Sequence, residues 1–88
     1  MTEKELEKIF KSVANRRRIA ILRFLKKQKK ARVGQIAEEI KLSFKSTSRH
    51  LVVLFSAGLV DREQKSLEMH YSIASPLSET ARRAIGLL

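Results

Sequence analysis

The chain has 88 residues, room for one hydrophobic core and no second domain. It has no cysteine, which excludes disulfides, thiolate metal sites and thiol catalysis. Nineteen Lys and Arg against nine Asp and Glu leave a net charge of +10. That balance favours a polyanionic partner, because neutralising phosphates releases their counterions.

The charge is unevenly spread. Residues 1–30 hold eleven cations and three acids, residues 31–58 four and two, and residues 59–88 four and four. The chain opens Met-Thr-Glu-Lys-Glu without an apolar leader, and its apolar runs are far shorter than a membrane span. A soluble protein of the cytoplasm, with no membrane contact, is expected.

Thr2 with Glu5 is a capping-box pattern, and Leu6, Ile9, Phe10 and Val13 follow it at the spacing of one helical face. Asn15 is a suitable N-cap for a second helix with Ile19, Ile21, Leu22 and Leu25 inside. The tract Lys26–Lys30 then places cations at that helix's C-terminus, where the dipole favours them. Val33, Ile36, Ala37 and Ile40 mark a third helix, which Leu42 ends.

Ser43 can cap a fourth helix that Ala57-Gly58 stops. Its apolar side carries Phe44, Thr47, Leu51, Leu54 and Phe55. Lys45, Ser46 and Arg49 lie opposite, flanked by Ser48 and His50. Two short helices around a tight turn, the second with small polar and cationic side chains, are how a helix-turn-helix presents itself to DNA.

From Leu59 the apolar period changes to two. Residues 59–65 and 67–73 read as strands around a turn at Lys65-Ser66, with Leu67, Met69, Tyr71 and Ile73 on one face. Pro76 suits the first turn of a last helix carrying Leu77, Ala81, Ala84, Ile85 and Leu88. The expected fold is mainly α with a small β-hairpin wing (α+β), a single winged helix-turn-helix domain over residues 1–88. The helix-turn-helix spans about 33–57, the wing about 59–74, and the terminal helices about 3–14 and 76–88.

Three stretches resemble the ArsR family of small bacterial and archaeal winged-helix repressors. Phe10-Lys-Ser-Val-Ala-Asn-Arg-Arg-Arg-Ile-Ala-Ile-Leu22 resembles the family's opening. Leu42-Ser-Phe-Lys-Ser-Thr-Ser-Arg-His-Leu51 resembles its recognition helix, and Leu54-Phe-Ser-Ala-Gly-Leu-Val60 its passage into the wing. The resemblance implies a homodimeric DNA-binding repressor whose terminal helices form the two-fold interface. Many members sense metals through two cysteines whose positions here are Arg32 and Gly34. Others use His and carboxylate clusters on the last helix, which here offers only Glu79. No metal or other cofactor is therefore expected. Lys41 stands where the family usually has a turn glycine, so a turn of different shape is expected.

On this reading Lys45 and Arg49 bond guanine edges or phosphates, while Ser46 and Ser48 allow close approach. His50 donates to a phosphate, and Lys65 at the wing tip touches the minor groove or backbone. Arg16 and Arg17 reach phosphates, whereas Arg18 pairs internally with an acid such as Glu7 or Glu38. Thr47 and Phe44 are expected in the core. Leu6, Ile9, Phe10, Leu77, Ala81, Ile85 and Leu88 are the candidate dimer contacts. The chain has no Gly-rich phosphate loop and no paired carboxylates beside a histidine, so an enzyme is not expected. Two alternatives stay open: a winged-helix module that binds protein or RNA, and a non-specific architectural chromatin protein.

Overall fold

A computed structural model describes residues 1–88. Its helices begin where the sequence supplies an oxygen for their free N–H groups. Thr2 opens α1 (Glu3–Val13), its hydroxyl accepting from Glu5 N–H while the Glu5 carboxylate accepts from Thr2 N–H. Asn15, Ser43 and Ser78 likewise cap α2 (Arg16–Gln28), α4 (Phe44–Ser56) and α5 (Glu79–Gly86). At the start of α3 (Val33–Ile40) the acceptor comes from inside the helix, as Gln35 Oε1 takes the Arg32 N–H at 2.9 Å. Pro76 precedes α5 instead of lying in its first turn, because Ser78 offers the side-chain acceptor that proline lacks.

Three strands, not two, form the sheet. β2 (Val60–Lys65) and β3 (Glu68–Ile73) make the hairpin, and β1 (Lys30–Arg32) pairs antiparallel on the other edge of β3. Ala31 faces Tyr71 across that ladder, and both are buried. β1 divides the Lys26–Lys30 tract. Lys26 and Lys27 lie in the last turn of α2, Lys29 turns the chain at φ 74°, and Lys30 is already in the strand. The Lys26 ammonium donates to the Ile85 carbonyl at 3.1 Å, closing the end of α5.

The hairpin loop is Ser66-Leu67, one residue later than expected, with Lys65 opposite Glu68. Leu67 thus falls at the tip, 96% exposed, and leaves the face that Met69, Tyr71 and Ile73 share. Lys41 does take the left-handed conformation (φ 56°, ψ 51°). The turn keeps its usual shape because two backbone bonds hold it, from Lys41 N–H to Glu38 O and from Leu42 N–H to Ala37 O.

The core draws on all five helices and the sheet, with Ile21, Leu22, Ile36, Leu51, Leu54 and Leu59 fully enclosed. Two sequence expectations fail here. Phe44 is 62% exposed, because it opens α4 on the flank toward the wing, whereas Thr47 takes the core side of the same turn. Ile9, Ala81 and Ile85 are buried within the chain itself, where α1 packs on α5, and so are not free to meet another copy. No helix is long and apolar enough to cross a membrane.

Candidate nucleic-acid interface

At 3.6 residues per turn, α4 divides into four strips. Thr47, Leu51 and Leu54 point into the core. Thr47 is fully enclosed and its hydroxyl has no hydrogen-bond partner. Lys45, Arg49, Val52 and Ser56 face directly outward and are exposed. Ser46, His50 and Val53 line the flank toward α1 and α2. Phe44, Ser48 and Phe55 line the flank toward the wing. Polar and cationic groups fill the outward strip only in the first two turns, since Val52 interrupts it in the third. Neither Lys45 nor Arg49 is engaged by a side chain of the protein, so both cations are available to an outside partner.

Arg18 fixes the inner flank. Its guanidinium donates to Ser12 O at 2.7 Å and Lys11 O at 3.2 Å, at the C-terminal end of α1, and lies 3.3 Å from His50 Nδ1. The expected acidic partner is absent. The carbonyls that end α1 carry the partial negative charge instead, and they stand closer than Glu7 or Glu38. A guanidinium can only donate, so Nδ1 must be the acceptor and the imidazole proton sits on Nε2. Burial holds the His50 pKa below its ordinary 6.5, with the charges of Arg18 and Arg17 adding to the effect. His50 is therefore a neutral donor.

Arg17 donates to Ile40 O at 3.0 Å, bracing the end of α3 at the helix-turn-helix turn, and Arg16 is exposed. On the wing, Glu63 receives Lys30 at 3.3 Å and Lys65 at 3.7 Å, which holds its carboxyl below the usual range. Arg32 reaches Glu68 at 3.4 Å. These pairs are about half exposed and contribute little stability. They do cancel much of the wing's charge, including that of Lys65. The family's cysteine positions hold Arg32, bonded to Gln35 and Glu68, and an exposed Gly34. Nowhere do three His, Asp or Glu side chains converge.

Two features escaped the sequence reading. The Arg62 guanidinium lies 4.0 Å from the centre of the Phe55 ring, fastening the base of the wing to the last turns of α4. A seven-residue separation across a helix–strand turn gives no periodic signal for such a contact. The second is a cleft of about 350 Å³ between α4, the start of α3 and the wing, in which Phe44, Leu67, Met69 and Tyr71 stand with Ser48, Arg32 and Glu68.

The family model described as "Bacterial regulatory protein, arsR family" matches residues 15–62. Among solved structures, the chain is similar to a homodimeric winged helix-turn-helix DNA-binding domain of Mycobacterium bovis, a possible ArsR-family transcriptional regulator. The two are 30% identical with a TM-score of 0.81, over 96% of this chain and 74% of that one. HlyU from Vibrio cholerae is 27% identical with a TM-score of 0.81, over 99% and 92% of the two chains. The transcriptional repressor PagR of Bacillus anthracis is 27% identical with a TM-score of 0.77, over 97% and 94%. No curated protein matches the chain.

Proposed function

This chain belongs to the arsR family of bacterial regulatory proteins, and from that premise we propose that it is a homodimeric repressor reading a palindromic duplex site with α4. The family consists of DNA-binding transcriptional regulators, and the protein is not an enzyme. The observation that carries the reading is the outward strip of α4, where Lys45 and Arg49 stand without intramolecular partners between Ser46 and Ser48. In a helix-turn-helix the N-terminal turns of the second helix meet base edges in the major groove.

Arg49 bonds a guanine or a phosphate, and Lys45 takes the neighbouring position. Ser46 and Ser48 let the backbone approach, and His50 donates its Nε2 proton to a phosphate. Arg16, Arg17 and Lys65 supply flanking phosphate contacts, Arg17 while bracing α3 and Lys65 with its charge partly spent on Glu63. A second copy docks on the terminal helices through the exposed Phe10 and Leu87, with the partly buried Leu6, Leu77 and Leu88 beside them. Two bound recognition helices then cover a promoter and block it. The homodimeric Mycobacterium bovis domain and the repressor PagR support this arrangement by likeness.

A charge-driven binder of any nucleic acid is the rival reading, favoured by the eleven cations in residues 1–30. Titrating the protein with a duplex selected from random sequence and with an unselected duplex, across salt concentrations, decides between them. We expect Arg49→Ala to weaken the selected duplex about 10- to 100-fold and the unselected one little. Arg16→Ala should weaken both alike and lower the salt slope by about one. Equal affinity for every duplex, untouched by Arg49→Ala, would sink sequence-specific regulation.

A further inference from the structure

We propose that Phe44 is a specificity-determining residue that reads the C5-methyl group of a thymine in the major groove. The inference rests on α4 being the reading helix and names one base that it reads. Phe44 is the first residue of α4, on the flank toward the wing next to the outward-facing Lys45, and it is 62% exposed. It stands as a ridge between two concavities. One is bounded by Gly34, Gln35 and Glu38 of α3, the other by Ser48 of α4 and Leu67 and Met69 of the wing.

A mostly exposed aromatic ring outside the core cluster adds little to the stability of the fold. No cation stacks on it, unlike Phe55, which Arg62 covers. Its neighbours are Gln35, Glu38 and Lys41 on the α3 side, and Leu67, Met69 and Tyr71 on the wing side. An exposed apolar ring at the start of the helix suits a small apolar target. The thymine methyl is the one such group that the major-groove edges of base pairs display, and a phenylalanine side chain is among the residues that meet it. Position matters too, for the first turn of a recognition helix reaches deepest toward the bases.

The test uses the full chain and the duplex that it selects from a random library. Each thymine of that duplex is replaced in turn by uracil, which removes only the methyl. Wild-type protein should lose about fourfold in affinity at one thymine per half-site, the worth of one buried methyl. Phe44→Ala should bind the thymine and uracil duplexes equally, whereas Lys45→Ala should keep the uracil penalty. A non-additive cycle between the methyl and the ring is the signature of direct contact. Circular dichroism of Phe44→Ala should match wild type, as the ring is mostly outside the core. If the uracil penalty is absent at every position, or the same size in Phe44→Ala, the assignment is overturned while the reading role of α4 stands. If no preferred sequence is recovered at all, that role falls and takes Phe44 with it.

Discussion

His50 joins the reading helix to the rest of the molecule through one nitrogen. Because Arg18 occupies Nδ1, protonation there would set an N–H against a guanidinium. The unfolded chain therefore binds more protons than the folded one at pH values just below 6.5, and folding stability falls as the pH drops through that window. The contribution is complete above 6.5 and lost as pH falls through the lowered value. Thermal unfolding between about pH 7.5 and 5 should show wild type losing more of its midpoint than His50→Gln. Equal losses in the two proteins would refute the Arg18–His50 pairing. Glu5 and Glu63 do not confuse this window, since their carboxyls are held below 4.5 and titrate in more acid solution. The sequence marked Arg18 as an internal arginine but named the wrong partner. Backbone carbonyls at the end of a helix are not visible as residue types, whereas Glu7 and Glu38 are.

At the scale of elements, the turn between α3 and α4 carries a correctable strain. A left-handed backbone costs a lysine about 1–2 kcal/mol, part of which a glycine would give back through its looser unfolded state. Lys41→Gly should accordingly raise stability by about 0.5–1 kcal/mol, seen as a midpoint shift in urea with an unchanged slope. A loss of stability would mean that the Lys41 side chain has a role of its own. Helix starts were legible because a cap is a local event: Thr2, Asn15 and Ser43 each act within three residues. β1 was not legible. Three residues with one buried alanine show no period, and the strand exists only because β3 offers an edge from forty residues away.

Across the whole molecule, the terminal helices spend much of their apolar surface on each other. With Ile9, Ala81 and Ile85 enclosed, the face left for a second copy centres on Phe10, 54% exposed, and Leu87, 86% exposed. We expect the wild-type chain to sediment at about twice its 10.1 kDa. Phe10→Glu with Leu87→Glu should sediment as a single chain with its helix content intact, since both residues lie outside the core. That variant should lose affinity for a palindrome far more than for one half-site. A variant that remains dimeric would place the interface elsewhere. Leu87 is the C-cap of α5, just past the helix, which is why its side chain escapes the packing of α1 on α5.

The sequence alone determined the order of the helices, the caps of α1, α2 and α4, the helix-turn-helix and the presence of a wing. These follow from local propensity and from apolar periods that a single segment displays. It also placed Lys45 and Arg49 outward and Thr47 inward. Only the tertiary structure decided which flanking side chains are spare. Phe44 and Phe55 share nearly the same helical angle, beside the core strip, yet one stands in water and the other lies under Arg62. Ile9 and Ile85 look as available as Phe10 until α1 meets α5. A residue's angle on its helix is set by its neighbours in the chain, but its burial depends on where the opposing elements end, and that is a property of the packed molecule.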